Sequence, residues 1–203
     1  MKFLKKLNGL LNSYGNDCRK EKSSVLYGIN KDSKPLAKHI VFSKMPPEIM
    51  TDMLQRFTQS FPKELLKIYK VTNGANLFFS VRLIGKRKTP IGFSNLSIYG
   101  IPLTYDRTQI EPYDIRIEDL NRPDSTPNSW LKFGSYSSPD NDENLHWLFV
   151  DTTDGRVHSV ARNQTKCIVD ATWKSIDHCL CELFDLLLSD TYQAGQFCCS
   201  LSP

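Results

Sequence analysis

The hydrophobic period of the chain changes at Asn73-Gly74, and this change constrains the fold more than any other feature of the sequence. Before it, apolar residues recur three and four positions apart, which predicts helices. After it, alternate residues are apolar over 77–83, which predicts a strand. Asn-Gly readily adopts the left-handed conformation in which helices end. Helices followed by a run of strands favour an α+β fold.

Two short helices are predicted before this change of period. Pro47 and Pro62 suit first helical turns, where a missing N–H costs nothing. Glu64 would complement the positive end of the second helix. The residues expected to face inward are Ile49, Met50, Met53, Leu54 and Phe57 in the first helix, and Leu65, Leu66 and Tyr69 in the second.

The remainder of the chain is predicted to hold further strands, a hairpin and a closing helix. Asp154-Gly155 accepts the positive φ of a tight hairpin turn. The predicted strands are Ile98–Ile101, Trp130–Ser135, Leu145–Asp151 and Arg156–Ala161, with Pro139–Asn144 as an acidic loop and a short helix around Ile115–Leu120. The closing helix repeats Trp173, Ile176, Leu180, Leu183, Phe184 and Leu187, with Thr172 or Ser175 as its cap.

These elements predict one α+β domain with a mostly antiparallel central sheet flanked by helices. We expect it to span residues 45–189. Residues 1–44 are interpreted as a basic N-terminal helix with a connector, because apolar residues at 4, 7 and 11 keep helical spacing. Docking on the body is the simplest interpretation of that helix; a tether to nucleic acid or to a membrane surface is the alternative. Residues 190–203 are expected to form a tail.

The net charge of +4 comes from this basic segment. Residues 1–38 contain nine basic and three acidic side chains, whereas the other 165 residues contain 17 basic and 19 acidic ones. Residues 106–154 alone hold eleven acids and four bases. An anionic partner is therefore not indicated for the body, and we do not expect nucleic acid to be its partner.

The sequence predicts a cytoplasmic protein. The start of the chain lacks a continuous apolar core of the kind that signal peptides have, and no apolar run approaches the ~20 residues that span a bilayer. Six cysteines in a chain of 203 residues are then expected to be reduced thiols.

The sequence lacks the well-marked motifs of enzymes and metal sites. The ten glycines form neither a dinucleotide fingerprint nor a phosphate-binding loop. His178 and Cys181 share a helical face, but Cys179 does not, so zinc is not expected. His146 and His158 lie on opposite arms of the predicted hairpin, and a two-residue turn would put them on opposite faces of the sheet. No cofactor and no metal are predicted, and calcium is not expected in the acidic loop.

The order of several short motifs resembles the SUKH superfamily, which includes fungal cell-wall assembly regulators and bacterial toxin-immunity proteins. One motif is a proline-led helix that ends in Asn-Gly; the others are a Tyr-Gly strand, a Phe-Gly strand, an Asp-Gly hairpin and a closing helix. They correspond to Phe61–Gly74, Ile98–Gly100, Trp130–Ser137, Val150–Val157 and Trp173–Leu188. The resemblance covers roughly residues 47–189 and implies a non-enzymatic protein-binding domain.

In bacterial members of that family the usual role is to neutralise a toxin, often a nuclease. We therefore expect the partner to be a cognate toxin, bound through the acidic part of the body with one aromatic anchor. A regulatory or scaffold protein of the cell-wall assembly regulator type is the alternative, and an adaptor tethered to nucleic acid or membrane is a further one. The predicted contact residues are Asp114, Glu118, Asp119, Tyr136, Asp140, Asp142 and Glu143.

Overall fold

In the part of the chain that the structure describes, seven strands lie side by side in chain order and form one antiparallel sheet. The computed structural model describes residues 1–13, 38–42, 44–56, 61–84, 89–100, 125–138, 141–161 and 166–193. The strands are β1 (Lys38–Val41), β2 (Ala75–Ile84), β3 (Thr89–Ile98), β4 (Trp130–Ser138), β5 (Asn141–Asp151), β6 (Val157–Ala161) and β7 (Val169–Trp173). The helices are α1 (Lys2–Ser13), α2 (Pro47–Arg56), α3 (Lys63–Tyr69) and α4 (Ile176–Gln193). The predicted fold class, a single α+β domain with an antiparallel sheet and helices, is confirmed.

In an antiparallel sheet of this order, every second connection lies at the same end. We call the end where β2 reaches Ile84, β4 reaches Ser138 and β6 reaches Ala161 the hairpin end. The β5–β6 turn lies at the opposite end. There Gly155 has a φ of 78°, as predicted for Asp154-Gly155.

Helix α4 packs on one face of the sheet, which we call the helical face. Its buried residues recur at helical spacing, and Phe184 meets the ring of Phe78 edge-on with 5.4 Å between centroids. Ser175 caps the helix, because its Oγ accepts a hydrogen bond from the N–H of His178 at 3.2 Å. The buried residues are Ile176, Cys179, Leu180, Leu183, Phe184 and Leu187.

Helix α1 is docked on α4. Phe3 and Leu7 are fully buried in the main hydrophobic core, and the Lys6 ammonium lies 2.6 Å from the Asp185 carboxylate. The carboxylate of Asp177 accepts hydrogen bonds from the backbone N–H groups of Lys2 and Phe3, at 2.9 and 2.8 Å. Of the apolar residues that predicted this helix, Leu7 therefore belongs to the core and Leu4 packs against it.

A strained residue helps β2 to reach α4. Phe78 has a φ of 54°, which is unfavourable for an aromatic residue. This conformation lets Phe78 join the same buried cluster as its neighbour Leu77, although successive strand residues ordinarily face opposite sides. The strain costs about 1–3 kcal/mol. Burial of a phenylalanine side chain contributes about 1.5–3 kcal/mol and offsets that cost.

The structure corrects the extent of several predicted elements. Of the strand predicted at Ile98–Ile101, only Ile98 belongs to β3, which begins at Thr89 and ends at Ile98, and Ile101 lies outside the described residues. Trp173, assigned to the closing helix, is the last residue of β7, and the segment 190–193 assigned to the tail belongs to α4. In α2, Ile49 and Met50 pack against the core but Leu54 is 38% exposed.

The predicted acidic loop Pro139–Asn144 is also corrected. Backbone pairing of β4 and β5 continues to Ser138 and Asn141, so residues 141–144 belong to β5. Pairing with β4 overrides the weak strand preference of Asn and Asp. The short helix predicted around Ile115–Leu120 lies outside the described residues, as does most of the predicted connector in 1–44.

Candidate functional site

The structure describes three of the seven residues predicted to contact a partner. Tyr136 lies near the end of β4, and Asp142 and Glu143 lie near the start of β5. All three are therefore at or beside the hairpin end. The remaining four, Asp114, Glu118, Asp119 and Asp140, lie outside the described residues.

Tyr136 is half-buried and is held by three neighbours on the helical face. Its ring stacks on the imidazole of His146 with centroids 4.9 Å apart and planes at 17°. Trp173 meets the Tyr136 ring edge-on, with ring centroids 6.4 Å apart. The Tyr136 hydroxyl lies 3.4 Å from Ser159 Oγ. Burial raises the pKa of Tyr136 from its ordinary value, although the contact with Ser159 opposes that shift. The phenol is therefore neutral and its orientation is fixed.

Asp170 reaches this group through an irregularity in β7. Ser159 pairs with Ala171 whereas Val160 pairs with Val169, so Asp170 is an extra residue opposite β6. Such a β-bulge redirects a side chain. The Asp170 carboxylate lies 3.1 Å from His146 Nδ1. We call Tyr136, His146, Ser159 and Asp170 the polar cluster.

The polar cluster contains the residue types of a catalytic triad but not the geometry of one. Ser159 Oγ lies 3.3 Å from His146 Nδ1, and the Asp170 carboxylate contacts the same nitrogen. In a triad, the serine and the carboxylate contact opposite ring nitrogens, so that the imidazole takes a proton from one side while it is oriented from the other. A single nitrogen cannot accept from Ser159 and donate to Asp170 at once. Ser159 is also fully buried. The contacts of the polar cluster orient its side chains and do not form the relay of a catalytic triad.

The opposite face of the sheet, which we call the far face, carries a second apolar cluster. Trp147, Phe149 and Val160 are its buried members, and the Lys132 ammonium lies 4.7 Å from the Trp147 ring centroid. His158 lies on this face, stacked on Trp130 at 4.2 Å and 9°. Because Phe149 pairs with His158 and His146 pairs with Ala161, the two histidines are on opposite faces, as predicted. The turn differs from the predicted two-residue one, because residues 152–156 connect β5 to β6.

Two side chains on the far face, His158 and Asp151, have pKa values shifted from their ordinary values. Burial lowers the pKa of His158, although the charges of Asp151 and Asp154 oppose that shift. Burial alone would raise the pKa of Asp151. Hydrogen bonds from Thr153 and from Trp130 Nε1 outweigh this effect, so the pKa of Asp151 lies below its ordinary value.

The residues that carry the family resemblance meet one another in the fold. The hydroxyl of Tyr69 donates a hydrogen bond to the Tyr99 carbonyl at 2.9 Å, and the Tyr99 N–H donates to the Phe133 carbonyl at 2.8 Å. Gly74 has a φ of 102°, and a Cβ on it would lie 2.6 Å from the Ile98 carbonyl oxygen. A Cβ on Gly100 would overlap the backbone of Asn73. Three of the motifs that resemble the family, Phe61–Gly74, Ile98–Gly100 and Trp130–Ser137, thus meet in one packed junction. It lies between α3 and strands β3 and β4, and we call it the glycine junction.

No metal site is found in the described ranges: no three His, Cys, Asp or Glu side chains there are arranged to hold an ion. Cys179 is buried, and burial raises the pKa of its thiol well above the ordinary value. His178 is exposed, with its Nε2 4.0 Å from Glu182. Among the helices that the structure describes, none is long and apolar enough to cross a bilayer.

Two acidic residues with defined structural contacts were missed from sequence. Asp170 lies in a strand that was not predicted, so no pattern connected it with His146. Asp177 fell in the predicted closing helix, where an acid in the first turn would ordinarily be assigned to its own helix end. Its hydrogen bonds instead cap α1, a contact between opposite ends of the sequence.

Neither a family model nor a curated protein nor a solved structure matches this chain.

Proposed function

We propose that this chain is an immunity-type protein, a non-enzymatic domain that neutralises a cognate toxin, such as a nuclease, by binding it directly. It would act in the cytoplasm of the cell that makes the toxin. The observation that carries the proposal is the glycine junction. Motifs that resemble those of the SUKH superfamily lie far apart in sequence, yet the backbone of Gly100 lies against Asn73, and the N–H of Tyr99 donates a hydrogen bond to the Phe133 carbonyl. Mutual contact is expected of motifs that specify one fold.

The polar cluster also favours binding over catalysis. His146 contacts both Ser159 and Asp170 through Nδ1, which leaves no proton relay from serine to carboxylate. The only hydroxyl of the cluster besides that of Ser159 is the Tyr136 phenol, whose pKa is raised by burial, so it is not an activated nucleophile.

The contact surface proposed is the acidic side of the hairpin end. Tyr136 pairs with His146, and the strand continues from there to Glu143 and Asp142. A standard interface buries about 800 Å² per partner, and a few aromatic or charged anchors dominate its energy. Strand neighbours are about 4.8 Å apart, so residues of β4 and β5 at this end fit within one such interface. Carboxylates there would attract the basic surface of a nuclease and raise its association rate.

The test is an affinity measurement with the product of a toxin gene adjacent to the gene for this chain. The double variant Asp142→Lys/Glu143→Lys reverses two charges at the proposed surface. The matched control is Glu48→Lys/Glu182→Lys, which makes the same change at two exposed acids on α2 and α4. We expect the first variant to weaken binding about 100-fold or more at low salt, mainly through slower association, and the control to change it less than about threefold.

Two results would overturn parts of this proposal separately. No binding by the wild-type chain contradicts the immunity role. Binding that is equally strong in both variants, with unchanged salt dependence, contradicts the acidic surface but leaves the role in place.

A further inference from the structure

The polar cluster holds two hydrogen-bond acceptors that no group of the described residues uses. The Asp170 carboxylate contacts His146 Nδ1 through Oδ2, and its Oδ1 makes no hydrogen bond or ion pair in that part of the chain. Both hydrogen-bonding contacts of the imidazole, to Ser159 and to Asp170, are made by Nδ1. Because a carboxylate only accepts, the neutral ring has its proton on Nδ1 and its lone pair on Nε2.

The imidazole of His146 is covered on one side and open on the other. The Tyr136 ring stacks on it with centroids 4.9 Å apart. On the other side His146 pairs with Ala161 of β6, whose methyl group is too short to cover the ring. The His146 side chain is accordingly 20% exposed, and the Asp170 side chain is 31% exposed. The cluster is therefore open to a group from outside the chain.

The fold orients the Asp170 carboxylate before any partner binds. The β-bulge in β7 turns this side chain onto the helical face, and the contact with His146 Nδ1 at 3.1 Å fixes its direction. A side chain that is already ordered loses little conformational entropy on binding. It is also partly buried, where attraction between opposite charges is stronger than in bulk water. Such a carboxylate is suited to anchor one cationic side chain.

We propose that the polar cluster is a pocket for one arginine side chain of a protein partner, whose guanidinium donates hydrogen bonds to Asp170 Oδ1 and His146 Nε2. Two separate acceptors require a cation with several N–H donors, and a guanidinium has five. Arginine is also more weakly hydrated than lysine, so it enters a partly buried site at a lower desolvation cost. The inference rests on the proposed function in one respect, namely that the partner carrying this arginine is the toxin.

The pocket lies within the proposed contact surface. Tyr136 belongs to both, and Glu143 is three residues from His146 along β5, which is about 10 Å. The acids at the start of β5 would attract a basic surface, and the pocket would then hold one arginine of that surface. Asp170 and His146, which the sequence did not indicate as contact residues, are thus added to the contact surface.

The first test uses a small probe and needs no toxin. Nα-acetyl-arginine methylamide is added to the full chain while the imidazole resonances of His146 are followed by NMR. Nα-acetyl-citrulline methylamide is the uncharged probe of similar shape. We expect the arginine probe to shift the His146 Nε2 resonance until it saturates, and the citrulline probe to leave it nearly unchanged. Asp170→Asn, which removes the charge but keeps an oxygen that accepts from Nδ1, should abolish the shift.

The second test measures affinity for the toxin. Asp170→Asn should weaken binding about 30-fold or more, mainly through faster dissociation, because the arginine would be left without its charged partner in a desolvated site. Asp154→Asn is the matched control, since it makes the same change at an exposed aspartate at the opposite end of the sheet. The control should change binding less than about threefold. Circular dichroism verifies that both variants are folded.

Each of three results contradicts the proposal. One is a His146 resonance that the arginine probe leaves unchanged. Another is an equal response to both probes, or a response that persists in folded Asp170→Asn. The third is a toxin that binds Asp170→Asn as tightly as Asp154→Asn. If the wild-type chain responds to the arginine probe but does not bind the toxin, the immunity role is wrong and the pocket remains.

Discussion

The backbone of Asn73 occupies the space in which a side chain at Gly100 would begin. Asn73 ends the turn after α3, and Gly100 follows β3, so the contact locks a helix–strand turn against a strand end. Neighbouring contacts have the same effect: Gly74 adopts a positive φ against the Ile98 carbonyl, and a Cβ on Gly134 would lie 2.5 Å from the Ser97 carbonyl oxygen. At these positions the backbones approach too closely for any side chain.

We expect Gly100→Ala to destabilise the protein severely, by about 3 kcal/mol or more, because backbone must move to admit a methyl group. The control is Gly9→Ala in α1, where a Cβ would meet nothing within 4 Å. Alanine is favoured over glycine in a helix, so the control should gain about 0.5–1 kcal/mol. Urea unfolding followed by circular dichroism measures both. Equal stabilities for the two variants would show that the glycine junction is not tight.

Asp177 is expected to hold α1 on the domain. Asp177→Ala removes the acceptor for the Lys2 and Phe3 N–H groups, and loss of such a cap costs about 1–2 kcal/mol. Hydrogen exchange should then rise in α1 first, because its N-terminal turn is released. Glu182→Gln, an exposed change on the same helix, is the control and should leave exchange in α1 unchanged. Unaltered protection of α1 in Asp177→Ala would contradict the docking described.

The Asp177 contribution is also expected to depend on pH. Burial alone would raise the pKa of Asp177, but the hydrogen bonds from Phe3 and Lys2 and the nearby positive charge lower it below its ordinary value. Its stabilising effect is therefore fully present above the unfolded pKa of about 3.9 and is lost as pH falls through the lower folded value. The difference in unfolding free energy between wild type and Asp177→Ala should narrow below about pH 4. A constant difference down to about pH 2 would be inconsistent with this account.

His158 should make stability fall on mild acidification. Burial lowers its pKa in the folded state, so the unfolded chain binds the proton more readily. Stability is then highest above the unfolded pKa of about 6.5 and decreases as pH falls below it, until the folded pKa is passed. His158→Gln should remove this part of the pH dependence. If the two proteins show the same dependence between about pH 7 and 5, the burial of His158 has no energetic consequence.

Local signals predicted some elements well. The closing helix α4 was recognisable because five apolar residues between Ile176 and Leu187 keep its period, and the β5–β6 hairpin because Asp154-Gly155 favours a turn. Strand β3 was missed except for Ile98, because Pro90 and Gly92 are disfavoured in strands and the alternation of Ile91 and Phe93 shifts by one residue at Leu96 and Ile98. Its pairing with β2 makes it a strand, and such tertiary pairing leaves no mark in the local sequence.

The candidate site was less predictable, since its contacts depend on register. Tyr136 was chosen as an aromatic anchor, but its stacking on His146 follows from a shift in β4–β5 pairing between Lys132 and Gly134. Asp170 joins His146 through the bulge in β7, a strand that has no alternating pattern. One inserted residue on either strand would change which side chains meet. Periodicity cannot specify contacts of this kind.

Titration of the adjacent gene's toxin with this chain tests the central claim most directly. Residual toxin activity is measured as wild-type chain, and separately Ser159→Ala, is added. The account predicts that activity falls linearly to zero at one chain per toxin, and that Ser159→Ala inhibits equally well because the polar cluster performs no chemistry. Inactivation of many toxin molecules by one chain, loss of inhibition in a folded Ser159→Ala variant, or no inhibition at all would contradict neutralisation by direct binding.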